Sequence, residues 1–84
     1  MGYKINFKQS VYKDLIKIDK SIATIILDKI ETELAEKVDQ YPALKGKFAG
    51  LRKYRVGDYR VIFSVIEDDT VLILRVAHRK QVYR

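Results

Sequence analysis

The 84-residue sequence contains no cysteine, and this absence excludes several kinds of site at once. Disulfide bridges, thiolate metal ligands and a cysteine nucleophile are all impossible. A chain without cysteine suits a reducing compartment, and we expect a cytoplasmic protein. No stretch approaches the roughly 20 apolar residues of a membrane span, so we expect no membrane as a partner.

Signals for a metal or a cofactor are missing as well. No glycine-rich phosphate loop precedes a predicted helix, the sequence has a single histidine, and the acids do not cluster at metal-ligand spacings. We therefore expect no metal ion and no small-molecule cofactor. Any chemistry must then rely on cations, tyrosines and one histidine.

The residues that are present can build one small core. Hydrophobic residues make up 48% of the chain and charged residues 33%, which is typical of globular proteins and not of disordered ones. A chain of this length suits one core. We assign residues 1–84 to a single domain.

Positive charge is confined to the second half of the chain. Residues 1–44 carry seven lysines, seven acids and no arginine, whereas residues 45–84 carry ten basic residues and four acids. The net charge of +6 therefore belongs entirely to the second half. Arginine binds phosphate through planar, bidentate contacts. This segregation favours a polyanion-binding surface over a merely solvated one.

Hydrophobic periodicity predicts the element order β-α-α-β-β-β. The first strand is expected near residues 3–7, a short helix is expected to be capped by Ser10, and a longer helix is expected to run from its cap Ser21 to about Asp39. Three strands follow, near residues 51–56, 59–66 and 71–79. The predicted fold class is α+β, with an antiparallel-rich four-stranded sheet and the helical hairpin packed on one face.

The turns predict which side chains share a face of the sheet. If Gly57-Asp58 closes the first hairpin, Arg55 lies opposite Arg60, and directly opposed residues point to the same side. The second hairpin is expected to close around either two or four residues, and both choices give the same parity. Five residues of the last strand should then point with Arg60, namely Val71, Ile73, Arg75, Ala77 and Arg79. Four should point with Phe63 toward the helices, namely Leu72, Leu74, Val76 and His78.

One face of the predicted sheet is therefore apolar and the other strongly positive. We call the positive side the cationic face, and its members are Lys53, Arg55, Arg60, Arg75 and Arg79. We expect no acid to neutralise them. Because crowded cations repel one another and destabilise the free protein, such a cluster favours a bound anion. Tyr83 follows the last strand, where it either packs on the surface, stacks on a base or exchanges a proton.

Cations and a tyrosine suit one reaction in particular. RNA is cut when its own 2′-hydroxyl attacks the adjacent phosphorus, with a base for the 2′-hydroxyl, positive charge around the phosphorane and an acid for the leaving 5′-oxygen. DNA lacks the 2′-hydroxyl and cannot follow this route.

The segment RVGDYRVIF, followed about 15 residues later by HRKQVY, resembles the RelE/ParE superfamily of toxin–antitoxin toxins. The likeness covers essentially the whole chain and is closest to the RelE branch. It implies a toxin that inhibits translation, a ribosome-dependent and metal-independent mRNA endoribonuclease. The implied partners are the ribosome, mRNA and a small acidic antitoxin protein.

The resemblance also implies roles for individual residues. Tyr83 corresponds to the base and Arg79 to the acid, while Lys53, Arg55 and Arg60 correspond to the stabilisers of the transition state. Further RNA contacts are expected from Arg75, Lys80 and Arg84.

Two other functions remain open at this point. One is a ParE-like toxin that inhibits DNA gyrase without catalysis, and the other is a non-catalytic RNA- or ribosome-binding domain.

Overall fold

The computed structural model describes residues 3–38, 50–67 and 69–78, and its elements follow the predicted order. The fold class is confirmed as α+β, with two helices and a mixed four-stranded sheet. The elements are β1 (Lys4–Phe7), α1 (Gln9–Ile16), α2 (Lys20–Lys29), a π-helical turn (Ile30–Leu34), β2 (Arg52–Val56), β3 (Tyr59–Ile66) and β4 (Thr70–His78). In the described part of the chain, no helix has the length and apolarity that crossing a membrane requires.

The strands are arranged in the order β1-β4-β3-β2. Both hairpin pairs are antiparallel, whereas β1 pairs with β4 in parallel. From β1 the chain passes through the helices and re-enters the sheet at the opposite edge as β2. The two hairpins then bring β4 back beside β1. This path places the first strand, β1, beside the last strand, β4, and the basic strands β2 to β4 side by side.

The helices cover one face of the sheet, where the core lies. Val61 and Phe63 of β3 are fully buried there, together with Ile26, Ile30 and Leu34. Burial of side chains of this size contributes about 1.5–3 kcal/mol each to folding. The second helix therefore contributes Ala23 and Ile26 to the core, whereas Ile22 on the same helix is exposed.

Both predicted N-caps are wrong. The residue before α1 is Lys8, which makes no side-chain cap, and the hydroxyl of Ser10 donates instead to the carbonyl of Leu74 over 2.7 Å. Asp19 caps α2, because its carboxylate accepts hydrogen bonds from both the backbone N–H and the hydroxyl of Ser21, each at 3.0 Å. An aspartate is as effective a cap as a serine, so the residue types at positions 19 and 21 do not by themselves decide which one caps α2.

The prediction of one continuous helix to Asp39 is also corrected. The regular α-helix ends at Lys29, and Asp39 lies outside the described residues. The buried residues Ile26, Ile30 and Leu34 recur every four residues, whereas an α-helix turns in 3.6, so the stripe drifts by about 40° per step. In the π-helical turn the N–H of Ala35 donates to the carbonyl of Ile30 over 3.1 Å. This wider turn offsets the drift and keeps the stripe on the core.

The first hairpin has the predicted register. Arg55 pairs with Arg60 and Val56 with Tyr59 across the loop Gly57-Asp58. Gly57 has φ +57°, a left-handed conformation that glycine adopts without steric cost. This local turn thus places Arg55 directly opposite Arg60.

The second hairpin differs from both predicted loop lengths. Ile66 pairs with Thr70, so the loop holds three residues, and Glu67 adopts φ 55° within it. An odd loop length reverses the parity of the strand that follows. Val71 and Ile73 therefore face the helices and are fully buried, contrary to the prediction.

A β-bulge in β4 then restores the predicted parity. Ile73 pairs with Phe63 and Arg75 pairs with Ile62, which leaves Leu74 as the extra residue. Arg75 and the residues after it consequently have the predicted orientation. Leu72, opposite Ser64, and Leu74, packed against Ile62 and Ala77, were predicted to face the helices, and both predictions are wrong.

Candidate functional site

The cationic face is organised as two rungs that cross β2, β3 and β4. Neighbouring strands lie about 4.8 Å apart, so side chains of one rung reach the same small ligand. The structure brings the described basic residues together as predicted. The first rung is Arg55, Arg60 and Ala77, and the second is Lys53, Ile62 and Arg75.

A small apolar cluster lies between these cations. Ile62 and Ala77 are only 5% and 7% exposed, and Leu51 and Leu74 pack against them. Long basic side chains bury their methylene stems on such a surface and keep the charged ends in water. The cluster therefore separates the charged groups and orients them outward.

Arg75 is paired with an acid, Asp14, from α1. Its Nε donates to Oδ2 of Asp14 over 2.8 Å and its second guanidinium nitrogen donates to Oδ1 over 3.1 Å. This hydrogen-bonded partner raises the pKa of Arg75 above its usual value. The expectation that no acid neutralises the cationic face is thus wrong for Arg75. Sequence reasoning missed the pair because the two residues are 61 positions apart.

Asp14 also completes the backbone hydrogen bonding of β4. The strand β1 extends only as far as Ile73, and beyond that point α1 lies along the edge. The Ser10 hydroxyl donates to Leu74, and the backbone N–H of Val76 donates to Oδ2 of Asp14 over 2.9 Å. Side chains of α1 therefore fix the last part of β4, which leads directly into Arg79.

Lys53 and Arg55 differ from Arg75 in their surroundings. Arg55 is exposed and Lys53 partly so, and neither forms a salt bridge with any acid of residues 3–38, 50–67 or 69–78. Arg52 points to the helix side, as its parity predicts, and donates to the carbonyl of Val38 over 3.3 Å. Among the described residues of the cationic face, positive charge without an acidic partner thus lies on β2, at Lys53 and Arg55.

Four predicted site residues lie outside the described residues, namely Arg79, Lys80, Tyr83 and Arg84. Their roles stay predictions. The last described residue is His78, whose ring meets that of Tyr59 edge to face, with 5.7 Å between centroids and 80° between planes. Within the described part, no group of three or more histidine and acidic side chains is arranged to hold a metal ion.

An open depression of roughly 380 Å³ lies where α1 ends beside the end of β4. We call it the β4-end pocket. No sequence pattern indicates this pocket, because its walls come from three separate segments. It is lined by Asp14, Lys17, Ile18, Tyr59, Arg75, Val76, Ala77 and His78.

Comparison with known proteins gives one consistent result. The family model for the ParE toxin of type II toxin–antitoxin systems matches residues 5–83. Toxin RelG of Mycobacterium tuberculosis is 30% identical to this chain in an alignment of 86 residues. The alignment covers 100% of this chain and 99% of that toxin.

Solved structures of toxin–antitoxin complexes contain a similar fold. The toxin–antitoxin complex RelBE2 of Mycobacterium tuberculosis matches with a TM-score of 0.88 and 27% identity, over 94% of this chain and 100% of the other. An archaeal RelE–RelB complex from Pyrococcus horikoshii matches with a TM-score of 0.67 and 30% identity, over 98% of this chain and 100% of the other.

Proposed function

Since this chain belongs to the ParE toxin family within the RelE/ParE superfamily, and is the RelE-like toxin of a type II toxin–antitoxin module, we propose that it is an endoribonuclease that cuts mRNA on the ribosome. The observation that carries the proposal is the cluster of Lys53, Arg55 and Arg60 on adjacent strands. Such strands hold cations in fixed positions, and preorganised charge is the largest single source of transition-state stabilisation in many enzymes.

The proposed reaction is an internal transfer of the phosphodiester. The 2′-oxygen loses its proton to a base and attacks the neighbouring phosphorus, and the bond from phosphorus to the 5′-oxygen breaks. The leaving oxygen takes up a proton, so the products end in a 2′,3′-cyclic phosphate and a 5′-hydroxyl. Negative charge on the phosphorane is where Lys53, Arg55 and Arg60 act.

The remaining roles follow the family resemblance. Tyr83 accepts the proton of the 2′-hydroxyl and Arg79 serves the leaving 5′-oxygen. Lys80 and Arg84 contact the RNA backbone. Arg75 contributes least to RNA binding, because its charge is already matched by Asp14.

We also propose the partners of this reaction. The solved relatives include complexes with RelB-type antitoxins, and a small acidic antitoxin fits a chain whose net charge of +6 lies in its second half. The site of action is the ribosome with its mRNA, and hence the cytoplasm.

The test is expression of the toxin in translating cells, with mapping of mRNA 5′ ends. The wild type should arrest growth and produce new 5′-hydroxyl ends within reading frames. Arg60→Ala and Arg79→Ala should each lower the cleavage rate by about 10²–10³-fold, the usual cost of removing one stabilising group. Lys13→Ala, which changes an exposed lysine of α1, is the matched control and should cleave normally. Full toxicity in both arginine variants would contradict the proposal.

Inhibition of DNA gyrase is a second candidate, and the specific observation that favours it is the match to the ParE family model. The same expression experiment separates the two functions. A DNA-damage response with intact transcripts indicates gyrase inhibition, whereas cut transcripts indicate an endoribonuclease.

A further inference from the structure

We propose that the β4-end pocket binds one nucleotide of the RNA, next to the phosphodiester that is cut. The inference rests on the proposed function, since it assigns a subsite to the same substrate. It adds Lys17, Tyr59 and His78 to the residues that contact RNA.

The size and walls of the pocket suit a nucleobase. Its volume of roughly 380 Å³ falls at the small end of the range that is usual for small-ligand sites, about 300–1,000 Å³. Tyr59 and His78 supply aromatic walls, and exposed RNA bases are commonly recognised by stacking on such rings. Apolar contact comes from the partly buried Ile18.

The aromatic wall is held in place before any ligand arrives. Tyr59 packs against the core cluster and its ring meets His78 edge to face. Tyr59 and His78 also pair directly in the sheet. A wall that is fixed on two strands does not have to be ordered on binding, which lowers the entropic cost of capturing a base.

The charge around the pocket suits the phosphate of the same nucleotide. Lys17 is exposed and follows the last residue of α1, where the helix dipole favours a cation. Asp14 is engaged by Arg75 and by the N–H of Val76, so it is not an open negative site that repels a phosphate. The net charge of the lining at neutral pH is therefore positive.

The location of the pocket connects it with the proposed catalytic groups. Ala77 belongs to its lining and pairs with Arg60 on the neighbouring strand. His78, another residue of the lining, directly precedes Arg79 in the sequence. A nucleotide in the pocket thus lies one strand from Arg60, which suits a neighbour of the scissile phosphate.

The experiment is titration of the full chain with adenosine 5′-monophosphate and, separately, with inorganic phosphate, followed by NMR. We expect the nucleotide to shift the backbone amides of Tyr59 and His78. Lys17→Ala should weaken the binding of both ligands, whereas its matched control Lys13→Ala, four residues earlier in the chain, should weaken the binding of neither.

The role of the aromatic ring is tested separately. Because one base stack contributes about 1–3 kcal/mol, Tyr59→Leu should weaken nucleotide binding by about 5-fold or more and leave phosphate binding unchanged. Tyr59→Phe keeps the ring and should bind nearly as well as the wild type.

The following outcomes would overturn the inference. Equal affinities of Lys17→Ala and Lys13→Ala for the nucleotide, or shifts confined to other parts of the chain, exclude a nucleotide site here. Displacement of the nucleotide by a short oligoglutamate peptide that binds more tightly indicates a site for an acidic protein instead. If Tyr59→Leu does not fold, the comparison of Lys17→Ala with Lys13→Ala tests the inference by itself. Failure of this experiment is distinct from failure of the proposed function, which is measured by transcript cleavage in the arginine variants.

Discussion

Asp14 shows how one partly buried carboxylate links the helical half of the chain to the basic half. Its side chain is 11% exposed, whereas that of Arg75 is 46% exposed. The ion pair is therefore partly screened by water and adds only about 0–1 kcal/mol to stability. The hydrogen bond to the N–H of Val76 matters as much, because that group would otherwise have no partner at the end of the strand.

We expect Asp14→Ala to lower the free energy of unfolding by about 1–3 kcal/mol, since it removes the acceptor of a partly buried N–H as well as an ion pair. Urea denaturation at pH 7 measures this loss. Asp28→Ala, at an exposed acid of α2, is the control and should stay within about 0.5 kcal/mol of the wild type. Equal losses in the two variants would show that the contacts of Asp14 do not stabilise the fold.

A second prediction at this scale concerns pH. The ammonium of Lys29, hydrogen-bonded at 3.2 Å, holds the pKa of Glu33 below its usual value, and Tyr54 donates to the same carboxylate oxygen. A depressed folded-state pKa stabilises the fold above the unfolded pKa, and this stability is lost as the pH falls through the folded value. The difference in Tm between the wild type and Glu33→Gln should therefore be largest above about pH 5 and shrink toward pH 3. A difference in Tm that stays the same from about pH 7 down to about pH 3 would contradict this role of Glu33.

At the scale of elements, the two hairpins explain where the cations lie. The Gly57-Asp58 loop sets the register of β2 and β3 directly. The three-residue second loop and the bulge at Leu74 each shift β4 by one residue, and the two shifts cancel. Arg75 therefore returns to the cationic face, while Val71 and Ile73 contribute to the core.

Replacement of Gly57 tests the first hairpin. Nothing lies within 4 Å of a Cβ built at this position, so a substitution is costly only through the backbone. Gly57→Val should lower the free energy of unfolding by about 1–2 kcal/mol, because a branched residue resists φ +57°. Gly57→Asn should cost clearly less, since asparagine tolerates the left-handed region. Equal costs in urea denaturation would contradict a purely conformational origin.

At the scale of the whole molecule, charge and apolar packing are divided between the two faces of the sheet. The helices cover the apolar face, and the opposite face keeps positive charge around the cluster of Ile62 and Ala77. Two arginines of this face are exposed in the part of the chain that the structure describes. Arg55 has no salt bridge with a described acid, while Arg75 is paired with Asp14. These two residues allow available and neutralised charge to be compared on one surface.

We expect the salt dependence of RNA binding to separate the two arginines. For a single-stranded RNA, the slope of log K against log salt changes by about 0.7 for each phosphate contact that is lost. Arg55→Gln should reduce the slope by about that amount, whereas Arg75→Gln should reduce it much less, although both remove one positive charge. Titration of a labelled oligonucleotide between 50 and 200 mM salt, roughly the range in which such slopes are measured, provides the comparison. Identical slopes would mean that the Asp14 pair opens when RNA binds.

Local sequence patterns correctly predict the element order, the first hairpin and the placement of Lys53, Arg55 and Arg60 on one face. These features depend on residues that are close along the chain, where periodicity and turn chemistry act directly. The orientation of Arg75 was also predicted correctly, but only because an unforeseen loop length and an unforeseen bulge compensated each other.

The remaining features of the fold and the site depend on long-range contacts. Four features join segments that are far apart in sequence. They are the parallel pairing of β1 with β4, the edge contacts of α1, the neutralisation of Arg75 by Asp14 and the β4-end pocket. Such contacts depend on how a helix packs along one free strand edge, where unpaired backbone groups need partners. Neither periodicity nor residue spacing carries that information, so the positive charge could be located from sequence, but its neutralisation could not.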